Sequence, residues 1–555
     1  MRKLINIFVL VAALMFVFNS CTNDLDTLPL NDYDATSETA YADQDSYLSG
    51  LAYIYGYWAL VSQNDFGSSD IAVDDAGQSE LCRMYMVLNE MSTDALKCPW
   101  SDTYVNAIQY NQWTSTEVSA TISVYTRCMK GITLCNEYLL QTTDAKLSGR
   151  GQSALEDDIH TYRAEARFNR ALYYYTLMDL FGNPPFATPE NIGGANPSQI
   201  SRADLFDWLE TELTDLTSDD SALKNYGEVK FPRVSKGAAH ALLARMYLNA
   251  EVYTGTPRWA DAKTQAKEAI DAGYKLHDNY AELFEQDNTT NGAVDDEFIF
   301  GVSYDKDKTE SYGGTTTLMN ASLSSDANSG IGSEFGVDLI STDNWNGYHV
   351  ADDYVSRFNL QDVVWGASSG FGYNRENSDK RAFFYNIGNT EEFDNTTTAS
   401  GWYCWKFNAL KSDGTVVSLS EVNGTFSSSD YPLCRLAEMY LIYAEAEVRE
   451  DGTVDATGLS YIKALRDRAG VSTPAASDIT LDWLLDERAR ELMWEGHRRT
   501  DLIRYGYFTS INFPWTLKGG VMNGKVNLPT YKTIYPILTS DINANSDNLV
   551  QNPGY

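Results

Sequence analysis

Apolar positions recur at helical spacing through long parts of this chain, and polar stretches rich in Gly, Ser and Asn repeatedly interrupt them. The pattern predicts helices over Ser37–Val61, Val118–Leu140, Asp157–Phe181, Ser201–Leu216, Ser235–Leu248 and Trp259–Ala272. Helical spacing returns over Leu433–Val448, Asp455–Arg468 and Leu481–Glu495. Several of these come as pairs joined by short breaks. In Tyr162–Phe181 the residues Ala164, Ala166 and Ala171 sit among aromatics, a texture that lets helices cross closely, and Val234–Ala250 and Leu436–Val448 share it. Such pairs are tetratricopeptide-like, although no regular period of about 34 residues runs through the chain.

Between Asn279 and Leu433 the texture changes. Glu297–Tyr304 alternates and predicts a strand, while Thr309–Asn328, Asn374–Ser400 and Lys411–Ser429 predict loops. A long irregular segment inside a helical frame is usually functional or disordered, and Trp345, Tyr348, Trp365, Phe371, Tyr373 and Trp402 argue against disorder. The expected fold is mainly α: a tetratricopeptide-like helix-pair scaffold with a large irregular, loop-rich insertion face. It is expected as a single domain over residues 37–555, with the helical frame at 37–278 and 433–510. The insertion spans about 279–432, and an irregular tail spans 511–555.

The first residues follow another logic. Arg2 and Lys3 precede the apolar run Leu4–Phe18, which is too short for a spanning helix, and Ser20 stands immediately before Cys21. This is a bacterial lipobox, loose because Phe18 replaces the usual aliphatic residue. It predicts a signal peptide over 1–20 and a mature chain that begins at lipidated Cys21. The acidic, polar residues 21–36 form a tether with a reach of about 50 Å. The alternative is an ordinary secretory signal with a stray Cys.

Composition narrows the partners. The 555 residues carry a formal net charge of −35, which argues against nucleic acid and against a basic membrane-binding patch. Attachment to a membrane is therefore expected through the lipid alone. Hydrophobic content of 43% suffices for a large core, and 36 Tyr with 12 Trp suit surfaces that meet sugars. Cys82, Cys98, Cys128, Cys135, Cys404 and Cys434 show no CxxC and no zinc spacing; they are expected as buried thiols, with one bridge left open.

The densest charged stretch is Asp486–Gly506, DERARELMWEGHRRTDLIRYG. Arg, Glu and Trp clustered together suggest an active site. The competing reading, preferred here, is a structural helix whose Arg forks pair with carboxylates, because the stretch supplies no nucleophile and only His497 could titrate near neutrality. Elsewhere, SYGGTTT lacks the GK[ST] of a phosphate loop, and HExxH and GxSxG are absent. Asp305–Thr309 begins like a calcium loop but lacks its Gly and final Glu. Carboxylates are plentiful, and no pair stands out as a glycosidase couple.

Several blocks in order carry a resemblance: the lipobox, YRAEARFNRALYYYTLMDLFGNPPF (Tyr162–Phe186), ARMYLNA (Ala244–Ala250) and RLAEMYLIYAEAE (Arg435–Glu447), followed by RDRAGV (Arg466–Val471), ERARELMWEGHRRTDLIRYG (Glu487–Gly506) and YPI (Tyr535–Ile537). The mature chain resembles the SusD-like (RagB/SusD) family of Bacteroidetes outer-membrane lipoproteins. The resemblance implies a non-catalytic, lipid-anchored, surface-exposed glycan-binding protein. It also implies a partner SusC-like TonB-dependent porin that imports the glycan, alongside other surface glycan-binding lipoproteins and glycosidases. The starch-utilisation member is the nearer likeness, through Asp75 to Arg83, Leu88–Trp100, Ser311–Thr316 and Thr342–Gly347. Carried over, Trp100, Tyr312 and Trp345 correspond to an aromatic arc that cradles an α-glucan, and Asp75 and Arg83 to polar contacts with sugar hydroxyls. Cys98 stands where that member has a second Trp, and Asp102 or Thr103 where it has Asn, so the glycan is left open.

Chemically, a ring covers the apolar face of a pyranose while Arg and Asp reach its hydroxyls. The competing reading of Trp100 and Trp345 is core packing; their Asp-, Asn-, Pro- and Gly-rich surroundings favour exposure. For Tyr312 the pair Gly313–Gly314 suggests a flexible loop, and for Arg83 a structural salt bridge is the rival. The family admits a structural calcium, whose ligands Asp287 and Asp430 match only in part; no cofactor and no metal site are assigned. The alternatives to starch or maltooligosaccharide binding are a SusD-like binder of a fructan or hemicellulose, a glycoside hydrolase on a helical scaffold, and a scaffold that meets only protein.

Overall fold

The computed structural model describes residues 37–73, 75–192, 194, 196–417 and 426–555. The signal peptide, Cys21 and the tether lie outside the described residues. The helical frame begins with α1 (Gln44–Gly56), α2 (Leu81–Met86), α3 (Ser119–Gln141), α4 (Glu156–Phe181), α5 (Arg202–Thr217), α6 (Lys236–Leu248) and α7 (Trp259–Asp271). The insertion contributes β1 (Phe298–Val302), α8 (Gly314–Ala321), α9 (Ser325–Phe335), β2 (His349–Val350), β3 (Phe384–Tyr385) and β4 (Trp402–Cys404). The chain re-enters the frame through β5 (Tyr431–Arg435), α10 (Leu436–Asp451), α11 (Ala456–Ala469), α12 (Leu481–Glu491) and α13 (Arg498–Arg504).

Packing follows chain order: α3 on α4, α4 on α5, α5 on α6, and α6 on α7. After the insertion, α10 docks against α7 and α11 against α10, so the excursion leaves and rejoins one helical stack. The small residues act as the pattern requires. Ala166 and Ala171 of α4 are fully buried, and a Cβ at Gly131 of α3 would stand 2.6 Å from the Tyr173 ring of α4. Helix starts are fixed by side chains: Ser201 caps α5, Asp455 accepts from the backbone N–H groups of Thr457 and Gly458 at the head of α11, and Thr480 caps α12.

The strand expected at Glu297–Tyr304 is β1, which pairs antiparallel with β5 and so closes the insertion at its neck. A small sheet of order β2-β4-β3 stiffens the insertion. One apolar cluster takes in residues of the frame, insertion and tail, and a second lies beneath α10, α11 and α12. All six described cysteines are free and buried.

Several expectations change. Thr309–Asn328 is not simply a loop: it holds α8 and the start of α9, because its Thr, Leu and Ala residues are buried against the frame. The helix expected to reach Glu495 stops at Glu491, and the chain turns through Trp494 (φ 60°) and Gly496 (φ 80°) before α13. The tail is mostly irregular but includes a short helix at Thr539–Ala544. Among the described residues no helix is long and apolar enough to cross a membrane.

The charged stretch is buried. Trp494 and Arg499 are 0% exposed. Glu491 binds Arg435 (2.6 Å), Arg468 (2.5 Å) and Arg381 (2.9 Å), and Glu487 binds Arg381, Arg466 and Arg490. Glu495 takes Lys406 and Arg435 at 2.7 Å each. Arg381 and Lys406 come from the insertion, so the segment clasps insertion to frame. Burial alone would raise the Glu487 carboxyl, but Arg381, Arg490 and Arg466 outweigh it and hold it at about 2. His497 does not titrate near neutrality: burial pushes it down to about 4.

Candidate functional site

The loops that carry Asp75, Trp100, Tyr312 and Trp345, together with α2, which carries Arg83, bring the five candidate residues together. Tyr312 sits just before α8, and Trp345 just beyond it in space; their rings lie 6.1 Å apart, tilted by 56°. The Trp345 loop is held by the C-terminal carbonyls of α8, which otherwise lack partners. Asn320 O accepts from Trp345 N (2.9 Å), and Ala321 O accepts from Gly347 N and Tyr348 N (2.7 Å each). The Asn320 side chain also accepts from Ser341, Thr342 and Asp343. Trp345 Nε1 donates to Asp343 at 2.8 Å, which fixes the indole from the side.

Trp100 lies over the backbone of the same loop. A Cβ at Gly347 would stand 2.1 Å from its indole, so only glycine admits this contact. Behind it, Trp100 packs on Tyr348 (centroids 5.6 Å) and Tyr348 on Trp494 of the clasp (6.3 Å). Backbone bonds between Lys97 and His349 tie the two loops together. The clasp also grips the segment leading to Trp100: Arg498 pairs with Asp94 at 2.8 Å, and Glu90 accepts from Gly496 N and His497 N. Trp100, Tyr312 and Trp345 are each half-buried, which keeps ring surface in solvent.

Arg83 is 6% exposed and forms no salt bridge; its Nη1 donates to the Tyr312 carbonyl at 3.1 Å, and its Nε has no hydrogen-bond partner. Gly77 is wedged between Arg83 and Tyr312, where a Cβ would meet either within 2.9 Å. Asp75 is exposed, accepts from Gln78 N at 2.8 Å, and borders a hollow of about 680 Å³ that Gln78, Asp102 and Thr103 also line.

Gly313 and Gly314 do not make a flexible loop. Both are buried: Gly313 makes room for Glu80 and Gly314 for the Tyr304 ring, and the Glu80 carboxylate accepts from Gly314 N (2.8 Å), Arg83 N (2.6 Å) and the Tyr304 hydroxyl. Burial lifts the Glu80 carboxyl to about 7, against the pull of those bonds. Sequence reasoning missed Glu80, and it missed Phe66 and Phe426, whose rings lie 5.6 and 5.3 Å from Tyr312. An aromatic inside the polar run SQNDFGSSD is a signal that could have flagged Phe66. Cys98, the departure from the starch member's Trp, is wholly buried and presents nothing to a ligand. Among the described residues no group of three or more His, Cys, Asp or Glu side chains is placed to hold a metal. Asp430 instead accepts from Tyr304 N and Thr289, and Asp287 from Ser412.

The family model described as "SusD family" matches residues 296–555, and that described as "Starch-binding associating with outer membrane" matches residues 68–248. With these, and with a curated relative aligned along nearly its whole length, the chain belongs to the SusD family. That relative is the starch-binding protein SusD of Bacteroides thetaiotaomicron, 33% identical over 98% of this chain and 98% of its own. Among solved structures, a SusD homologue from Bacteroides thetaiotaomicron superposes with TM-score 0.69 at 18% identity, covering 94% of this chain and 98% of the other. A laminarin-binding SusD-like protein superposes with TM-score 0.66 at 19% identity, covering 93% and 100%. At such identities the solved structures speak for the fold alone.

Proposed function

We propose that this protein binds a glycan, starch or maltooligosaccharide foremost, at the outer surface of the cell and delivers it to a TonB-dependent porin without cleaving it. The observation that carries the reading is the half-exposed arc of Trp100, Tyr312 and Trp345, held on a rigid base with Asp75 and Arg83 at its edge. Tilted rings suit a curved chain such as an α-1,4-glucan better than a flat one, because successive sugar faces turn with the helix of the ligand. The relative named for starch binding supports the same ligand. Each ring contact is weak, so many tethered copies beside a porin would raise the effective concentration of captured glycan. A lipid on Cys21 would supply the tether.

Affinity electrophoresis in gels containing amylopectin, pullulan, laminarin, levan or xylan tests the ligand. Retardation by amylopectin and pullulan is expected. Retardation only by laminarin, levan or xylan replaces starch with that glycan, and retardation by none removes the sugar reading in favour of a scaffold that meets protein. Incubation with labelled maltoheptaose is expected to return it intact; turnover would make the protein a hydrolase.

A further inference from the structure

A second hollow lies away from the arc, where the segment 278–281 meets the insertion. It encloses about 810 Å³, larger than the hollow beside Asp75 and within the range of ~300–1,000 Å³ that small-ligand sites occupy. None of the five arc residues lines it.

Arg375 sets it apart. The rings of Phe335, Phe371 and Trp405 pack into one cluster, with centroid separations of 5.3 Å (Phe335–Trp405), 5.9 Å (Phe371–Trp405) and 6.3 Å (Phe335–Phe371). The Arg375 guanidinium caps that cluster from the exposed side, 5.0, 5.0 and 4.8 Å from the Phe335, Phe371 and Trp405 centroids. Among the described residues it is the one arginine whose guanidinium makes neither a hydrogen bond nor an ion pair. The habit of this chain is the opposite: the arginines of the clasp are each held by carboxylates or carbonyls. Aromatic contact on one side leaves its N–H donors available and restricts where they point, which lowers the entropy lost on binding. Glu334, Glu376 and Lys380 also line the hollow, exposed and with side chains free of internal hydrogen bonds or ion pairs, while Phe371 and Phe383 supply apolar wall.

We propose that this hollow is a second glycan-binding site that takes one or two neutral sugar units. Arg375 donates to neighbouring hydroxyl oxygens, and Glu334 and Glu376 accept from hydroxyls. A hydroxyl both donates and accepts, so it suits a wall bearing both signs of charge. An anionic sugar would meet these carboxylates and a chain of net charge −35. The proposal shares the ligand class of the arc and none of its residues.

The test uses the full chain carrying W100A and W345A, so that the arc is silent, and saturation-transfer NMR with maltose, laminaribiose and xylobiose as probes. Transfer to at least one disaccharide is expected, and adding R375Q is expected to weaken it about tenfold or more. E376A, on an exposed side chain without internal partners, is expected to fold normally and weaken it roughly threefold. Thermal unfolding checks that R375Q leaves the cluster folded; if it does not, E376A with K380A decides. No transfer from any disaccharide, transfer that survives R375Q and E376A, or preference for glucuronate overturns the proposal. Gel retardation of the wild-type chain reports the arc separately: its loss in W100A/W345A together with absent transfer keeps the arc and removes the second site. Absent retardation of the wild type removes the arc and leaves the NMR result to decide the hollow.

Discussion

Two regions of this protein are rich in the same side chains and use them in opposite ways. The clasp at residues 486–506 and the arc at Trp100, Tyr312 and Trp345 both combine tryptophan with arginine and carboxylates. In the clasp every carboxylate meets arginine or lysine, and Trp494 donates its Nε1 to Ala95 O at 2.9 Å, fully buried. In the arc the rings are only half-buried, Asp75 faces solvent, and neither Asp75 nor Arg83 forms an ion pair among the described residues. Charge and aromatics together therefore do not by themselves mark a binding site: in the clasp they are buried and paired, and in the arc they stay partly open. The regions are also joined, because Trp494 supports Tyr348, which supports Trp100. The clasp supports the arc from behind.

Acid should break the clasp first and most completely. Burial alone would raise Glu438, Glu487 and Asp501, but their cationic neighbours together, led by Arg245, Arg381 and Arg488 respectively, outweigh it and hold all three at about 2. Their folded values lie below the unfolded ones, so the stability they contribute is present above about pH 4 and drains away as pH falls from there through 2. Near-ultraviolet circular dichroism should show tertiary signal lost across that window; a signal intact at its acid end would mean that the pairing does not hold the fold.

Arg435→Met comes next. It strands Glu297, Glu491 and Glu495 without their shared partner, and removing one member of a buried ion cluster costs about 3–5 kcal/mol. Urea unfolding measures it, and a loss under about 1 kcal/mol would show the cluster to be redundant. The arc should answer in the other currency. Trp345→Ala and Trp100→Ala should each cut retardation in amylopectin about tenfold, with a shift in unfolding free energy of about 1 kcal/mol or less. Wild-type retardation by both variants would place the ligand elsewhere. The smallest effect tests the contact between loops. Gly347→Ala pushes a methyl into the Trp100 ring, where a Cβ would stand 2.1 Å from it. Binding should fall by roughly threefold, within the span of about 1 kcal/mol or less, while the fold is kept. Unchanged binding would show that the angle of Trp100 does not matter.

The helical frame was legible in the sequence because helical periodicity is local. Six of the expected spans, such as Asp157–Phe181 against the observed Glu156–Phe181, agree to within about one residue at each end, the scale on which helix ends fray. The span Leu433–Val448 begins too early, because Leu433–Arg435 form the end of β5, which pairs with β1, and the helix runs Leu436–Asp451. The span Ser37–Val61 was over-drawn, since regular helix there stops at Gly56. Leu481–Glu495 was over-drawn because apolar spacing continues through Trp494 although its backbone leaves the helix at a positive φ. The candidate residues came from family motifs, and physics alone could not have assembled them. Trp100 meets Gly347 across a gap in sequence that no periodicity spans, and Glu80 meets Gly314 across another.

The sequence by itself determined the helix-pair frame, the irregular insertion and the family, and it nominated the arc residues. Each of these is written in local spacing, in a motif or in a whole-chain likeness. The tertiary structure decided which aromatics are open and which are core. It showed that Gly313 and Gly314 serve close packing rather than motion, that His497 is buried, and that Arg381 and Lys406 of the insertion complete the clasp. Those outcomes depend on contacts between residues far apart in the chain and on burial, and burial is a property of the folded whole.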